Sequence, residues 1–388
     1  MTKPPPPARL ASLDAYRGWV MFLMMAEALQ FCAVASAKPD SGIWRFLCHE
    51  QTHAPWKGCS LHDLIQPSFS FLVGVVLPFS IASRIAKGQS RRQMTRHALG
   101  RSLALIFLGV ILRSINAGHA NWTFEDTLSQ IGLGYFFLFC LGFRKARDHW
   151  IALGAILLGY WSAFAFYPVP GNFDYQSVGV PADWPQLMTG FSAHWNKNSN
   201  LAWAFDKWLL NFFPRPHAFH YNGGGYATLS FIPTLGTMLL GLIAGNVLRS
   251  SRSAWRQVRW LVIAGAVCLA LGFLGDVLGI CPVVKRIWTP GWVLYSGGWC
   301  LMFLAAFHVV VDIFCWKRWA VPLVVIGSNS IAAYCIANTC DSMIDRLGWG
   351  TSVSPSGPYA PLVNGAFGLV LIWIGLYVLY RRRIFIRL

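Results

Sequence analysis

The chain has 388 residues, 55% of them hydrophobic and only 12% charged, with mean hydropathy +0.47 and a formal net charge of +17. A water-soluble domain cannot bury that much apolar surface, whereas a bilayer accepts it. The positive charge invites a nucleic-acid partner. Most of the 32 basic residues, however, fall in short loops on one side of the apolar segments, a pattern of membrane topology and lipid contact rather than of nucleic-acid binding.

Residues 1–10, MTKPPPPARL, are Pro-rich and predicted to be a disordered tail. They lack the apolar core of a signal peptide, so the first span is expected to stay in the mature protein. Residues 11–388 then read as a single transmembrane domain, with apolar segments near 16–37, 63–86, 97–116, 125–143, 148–167, 226–248, 260–280, 291–313, 320–340 and 362–380. The expectation is an all-α polytopic membrane protein of about ten transmembrane helices. The basic loops, such as the one holding Arg84, Lys87, Arg91, Arg92 and Arg96, place both termini in the cytoplasm.

In chain order, the first polar feature at membrane depth is Asp14 with Arg17, three apart and therefore on one helical face. They form either an interfacial ion pair or, through Arg17, a contact for an incoming anion such as a phosphate. Glu27 lies deeper and must be neutral, paired or facing a wet cavity. The outer loop 38–62 carries His53, ten residues before Asp63 at the mouth of the second span. A histidine oriented by a carboxylate is a usable general base near neutral pH, though that spacing alone is common. Arg113 and Asp126 are placed to pair structurally.

A second outer loop, 168–225, is large and rich in Trp, His and Asn. Within it, 199–213 has helical spacing, with Leu201, Phe205, Trp208, Leu209 and Phe212 on one stripe. It is either an interfacial anchor or a lid. Lys285, Arg286, Trp288 and Thr289 precede the eighth span on the outer side, against the charge rule, and a carbonyl or anionic ligand is one reading of them. Asn329 and Ser330 interrupt the ninth span, to bridge helices or to line a cavity. The ten cysteines contain no CxxC. Most sit in spans as small apolar residues. Cys48 with Cys59, and Cys281 with Cys340, are positioned for outer disulfides or for unpaired thiols. The outer histidines lack metal-ligand spacing, so no metal is expected.

Four stretches in order carry a family likeness. They are Ser12-Leu13-Asp14 with Arg17-Gly18; His53, Trp56, Gly58, Asp63, Pro67, Phe71 and Gly74; Gly224, Tyr226 and Thr228 through Pro233-Thr234 to Gly241 and Gly245; and Lys285, Trp288 and Thr289 joined to Gly327, Asn329 and Ser330. The chain resembles the heparan-α-glucosaminide N-acetyltransferase-like transmembrane acyltransferases in their short bacterial form. That resemblance implies transfer of an acyl group, usually acetyl, from cytoplasmic acetyl-CoA or another acyl-CoA to an amino sugar or other saccharide acceptor on the outer face of an inner membrane. It assigns His53, with Asp63, to catalysis, as general base or transient acyl carrier. Asp14, Arg17, Asn329 and Ser330 are then expected at the acyl-CoA and Trp56, Lys285 and Trp288 at the acceptor. Membrane lipids are expected partners, and a homodimer is compatible. The Asn that animal members carry in the first span is absent, the local sequence being Met25-Ala26-Glu27-Ala28. The alternative class is a secondary transporter or lipid-linked sugar flippase, suggested by the span number and Glu27.

Overall fold

The computed structural model describes residues 10–169, 171–337 and 357–386. The expected tail thus lies, except for Leu10, outside the described residues. These residues are mainly helical, with an isolated β-bridge between Lys57 and Val284. The protein is an all-α polytopic membrane protein. Among the described residues, seven helical segments are long and apolar enough to cross a bilayer: Ala11–Ala37, His62–Ala86, Arg91–Ala117, Thr228–Arg249, Ala254–Val277, Pro290–Ile313 and Ala360–Arg381. Of the remaining expected spans, Thr127–Leu141 is shorter, with 15 residues, and Ala146–Ala165 opens with the polar run Arg147-Asp148-His149. The ninth is broken, and its last residues, 338–340, lie outside the described ones.

The helices are α1 (Ala11–Met25), α2 (Phe31–Ala37), α3 (Gly42–Gln51), α4 (Ile65–Ala86), α5 (Arg91–Ala117), α6 (Thr127–Leu141), α7 (Ala146–Ala165), α8 (Leu201–Leu209), α9 (Phe231–Arg249), α10 (Ala254–Val277), α11 (Pro290–Phe307), α12 (Val321–Ser328), α13 (330–337) and α14 (Ala360–Arg381). They fall into two compact units.

The first unit comprises Pro55–Gly58 and Ser70–Met302. Its centre is α9, whose apolar window is 83% buried. α9 meets α4 backbone to backbone. A Cβ on Gly241 would fall 2.0 Å from the Phe71 carbonyl oxygen, and one on Gly74 would fall 1.9 Å from that of Met238. Small residues spaced four apart, here Gly241 and Gly245, let transmembrane helices approach this closely where lipid supplies no hydrophobic drive. The expected Arg113–Asp126 pair is corrected. Arg113 binds Glu125 at 2.8 Å, while Asp126 caps α6 by accepting from the Leu128 and Ser129 N–H groups, both at 3.0 Å. An Asp just before a helix is worth more as an N-cap, satisfying orphan amides, than as an ion-pair partner. α8 confirms the helix read within 199–213. Its Trp208, and Phe212 just beyond, are 60% and 68% exposed, as an interfacial stripe requires.

The second unit comprises Arg9–Ala54, Cys59–Phe69 and Phe303–Leu388 over their described residues. α1 and α12 touch through Gly18 and Gly327, where an added Cβ would lie 1.7 Å from the Leu323 carbonyl oxygen and 2.3 Å from that of Asp14. Met21, Met25, Val325, Ile326, Ala333 and Leu376 form the core of this unit. The start of α1 is pinned by Asp312, on a π-helical turn at His308–Ile313, which accepts from the Ser12 hydroxyl and contacts the His308 imidazole at 3.0 Å.

The expected first span is not one helix. α1 ends at Met25, a 3-10 turn covers Ala26–Leu29, Gln30 takes a left-handed φ of 48°, and α2 follows. Gln51 repairs the break: its amide N–H donates to the Ala26 carbonyl at 2.6 Å, and its carbonyl accepts from Phe31 N–H at 2.9 Å. Cys32, expected as a span thiol, is joined to Cys48 in a disulfide. Cys48 therefore does not pair with Cys59, and Cys281 is a free thiol. Cys340 lies outside the described residues.

Candidate active site

Three elements of the second unit bring His53 and Asp63 together. α3 ends at Gln51, and Thr52 turns the chain outward, its hydroxyl donating to the Cys48 carbonyl at 2.9 Å. A 3-10 turn at His62–Leu64 then opens α4 and carries Asp63 inward. The loop between is tied by Ser60, whose hydroxyl donates to the Thr52 carbonyl at 2.6 Å, and by Glu50, which accepts from Leu61 N–H at 2.7 Å.

The Asp63 carboxylate collects donors. One oxygen meets His53 Nδ1 at 2.8 Å. The other accepts from Ala54 N–H at 3.0 Å, Ser60 N–H at 3.2 Å and the Ser60 hydroxyl at 3.1 Å. Asp63 is 1% exposed, while the His53 side chain keeps 38% of its surface. A buried, fully donated carboxylate is anchored in place, and its bond to Nδ1 assigns the proton-accepting lone pair to Nε2. The structure thus brings His53 and Asp63 into direct contact. Sequence reasoning did not assign Ser60, Glu50 or His62. Their signal was proximity alone, in the segment Cys59-Ser60-Leu61-His62-Asp63.

Asp14 and Arg17 lie at the opposite end of α1, 3.7 Å apart. Asn329 is at that end too, since Gly327 packs on the Asp14 backbone. Both functions of the Asn329 amide are engaged by the C-terminal segment: it donates to the Ile384 carbonyl and accepts from Ile386 N–H, each at 3.0 Å. The expected interruption of the ninth span is real, α12 ending at Ser328 with Asn329 as its cap and α13 resuming at Ser330. Asn329 ties α12 to the C-terminal segment.

Trp56, Lys285 and Trp288, expected to contact an acceptor, are 0%, 5% and 2% exposed within the first unit. Trp56 donates its indole N–H to the Trp195 carbonyl at 3.0 Å, and Trp288 donates to the Thr237 hydroxyl at 3.1 Å. Both indoles are buried and hydrogen-bonded within the first unit. The same unit holds two buried carboxylates that sequence reasoning passed over. Asp206, on α8, accepts from Thr228 N–H at 2.9 Å, and burial pushes its carboxyl up to about 7. Burial likewise raises Glu125, against the opposing pull of Arg113.

A histidine oriented by a buried carboxylate is chemically able to act as a general base. No protein-family model matches the chain. It is similar to heparan-α-glucosaminide N-acetyltransferase of Homo sapiens, 25% identical over 422 residues that cover 98% of this chain and 60% of that protein. It is also similar to the Mus musculus protein of the same name, 24% identical over 371 residues that cover 84% of this chain and 53% of the relative. The chain thus spans a little over half the length of these curated relatives. The matches support a heparan-α-glucosaminide N-acetyltransferase-like family, the one its ordered motifs resemble.

Proposed function

We propose that this protein transfers an acyl group, in the first instance acetyl, from cytoplasmic acyl-CoA to the amine of an amino sugar on the outer face of a bacterial inner membrane, with both chain termini inside. The observation that carries the reading is the His53–Asp63 dyad. The acceptor nitrogen attacks the thioester carbonyl. The C–N bond forms, the C–S bond breaks, and the nitrogen's proton passes to His53 Nε2 as CoA leaves as a thiolate. A transient acyl-imidazole on the same nitrogen gives the same products in two steps. A hydroxyl acceptor would be activated in the same way.

Two further features support the reading. The Cys32–Cys48 disulfide immediately precedes the His53 loop, as befits an oxidising outer compartment. CoA's phosphates cannot enter hydrocarbon and would stay at the Asp14–Arg17 end, with Arg17 as the cationic contact. Helical rise from Arg17 to Met25, and 3-10 rise beyond, put Glu27 about 16 Å further along the chain, roughly half of a ~30 Å hydrocarbon core. Glu27 approaches His62, and His62 lies tilted against His53. A thin pantetheine arm, rather than the whole cofactor, has that distance to cover.

The test uses purified protein in detergent with labelled acetyl-CoA and glucosamine. Acetylglucosamine should form with release of free CoA, and His53→Ala should abolish it while keeping the thermal transition. Turnover unchanged in that variant would remove His53 from the chemistry. No acyl-CoA consumption by the wild type, alongside gradient-driven sugar flux in vesicles, would favour the transporter class instead.

A further inference from the structure

We propose that His62 and Glu27 form a proton outlet for His53, a relay that returns the imidazole to its neutral state after each transfer; this rests on the acyl-transfer reading above. The Asp63 side of the ring is closed to a departing proton. Asp63 holds His53 Nδ1, is 1% exposed and accepts three other hydrogen bonds, so it offers no route to water. A proton gained on Nε2 must leave on another path.

The adjacent residue supplies one. The 3-10 turn that carries Asp63 inward also presents His62, whose ring centroid lies 4.6 Å from that of His53 at a 52° tilt. Two imidazoles in van der Waals contact can exchange a proton directly or through one water. His62 Nε2 then lies 3.9 Å from Glu27 Oε2. The His62 side chain is 10% exposed and that of Glu27 68% exposed, so the far end of the path is the open one. Glu27 sits on the 3-10 turn that interrupts the first apolar span. A carboxylate at that depth is costly unless it is paired or wet, and intramembrane acids commonly mark proton paths. The other nearby acid, Glu50, is committed to the loop through Leu61 N–H and His49.

The step balances without any added reagent. The acceptor amine loses one proton to His53 as the C–N bond forms and the C–S bond breaks. That proton moves to His62, then to the Glu27 carboxylate, then to water. The CoA thiolate takes a proton from the solvent on its own side, free thiols being protonated below about pH 8.5. His62 and Glu27 act through His53 and are relay residues, not groups that touch the acyl carbon.

The experiment uses the full chain in detergent, with acetyl-CoA and glucosamine, and compares His62→Gln, Glu27→Gln and the double variant. A relay in series requires kcat to fall roughly 100-fold in each single variant, with KM for both substrates unchanged. The double variant should be no slower than the worse single one, because residues acting as a unit are not additive. Glu27→Asp should restore part of the rate, and added imidazole should rescue His62→Ala, neither of which a packing defect would allow. An unchanged kcat in both single variants, in the presence of a dead His53→Ala, overturns the relay and leaves the His53 reading standing. Additive losses, or loss confined to KM, overturn it as well. A wild type that consumes no acetyl-CoA overturns the underlying reading, and the relay with it. If His62→Gln does not fold, the Glu27→Gln and Glu27→Asp comparison decides alone.

Discussion

His53 gives Nδ1 to Asp63 at 2.8 Å, and this one contact decides which ring nitrogen is available for chemistry. In Asp63→Asn the carboxylate's partners on the backbone side, Ala54 N–H and Ser60 N–H, can still be served by the amide oxygen. The remaining NH2 group then faces Nδ1 and favours the tautomer with the proton on Nε2, which cannot act as a base. Transfer should drop by about 10²–10⁴-fold in kcat with little change in KM. Steady-state kinetics beside a thermal unfolding curve would check this; a proportionate loss of stability with kcat preserved would make Asp63 merely structural.

The Cys32–Cys48 bond closes a segment of 16 residues that ends just before His53. In the chain-entropy treatment such a loop contributes about 3 kcal/mol. Cys32→Ser with Cys48→Ser should therefore lower the thermal transition and loosen the dyad, reducing activity at the same time. In whole cells, maleimide–polyethylene glycol should label these two cysteines only after reduction by an agent that reaches the outer compartment. Labelling without reduction would mean the thiols are free and would remove the topological argument drawn from them.

The helical membrane fold was legible because long apolar runs have a strong local signature in lipid. The His53–Asp63 spacing is common by itself, and the pair was singled out only through the ordered motifs that carry the family resemblance. What escaped the sequence has a common cause. The break at Glu27–Gln30 lies inside a run whose hydropathy is continuous, so α1 and α2 read as one span and Cys32 as a lipid-depth thiol. Glu27 and Gln30 were the only local hints, and the compensation comes from Gln51, on a different helix. Arg113 chose Glu125 over Asp126 because Asp126 is the N-cap of α6, a decision of one residue that charge spacing cannot resolve. The burial of Trp56, Lys285 and Trp288 was not legible either, because a motif carries no information on how deeply its side chains are packed.

The α4–α9 contact gives a sharp contrast within one helix. At Gly241 a methyl group would sit 2.0 Å from a backbone oxygen, whereas at Gly236 the nearest atoms are side-chain carbons at 3.6 Å, an ordinary contact distance. Gly241→Ala must push two backbones apart and should cost at least the 1–3 kcal/mol typical of overpacking, about what turns a well-behaved membrane protein into aggregate. Gly236→Ala should be neutral within about 0.5 kcal/mol. Monodisperse yield in size-exclusion chromatography and the thermal midpoint measure both. Equal behaviour of the two variants would deny the close approach.

Asp206 makes the first unit sensitive to pH. Its carboxyl is pushed up by burial to about 7 from an ordinary 3.8, with Glu125 adding to the shift and Arg215 opposing it. An acid whose folded value lies above its unfolded one holds its proton longer in the folded chain. Between about pH 4 and 7 the folded state therefore binds more protons than the unfolded state, and stability falls as pH rises through that window, levelling off above it. The loss is on the order of a few kcal/mol. Asp206→Asn keeps an acceptor for Thr228 N–H and carries no charge, so its margin over the wild type should be smallest near pH 4 and widen up to about pH 7. Thermal midpoints of the two proteins across pH 4.5–8.5 would diverge on the alkaline side. Parallel curves would mean that Asp206 stays ionised throughout, with its charge compensated in the folded protein.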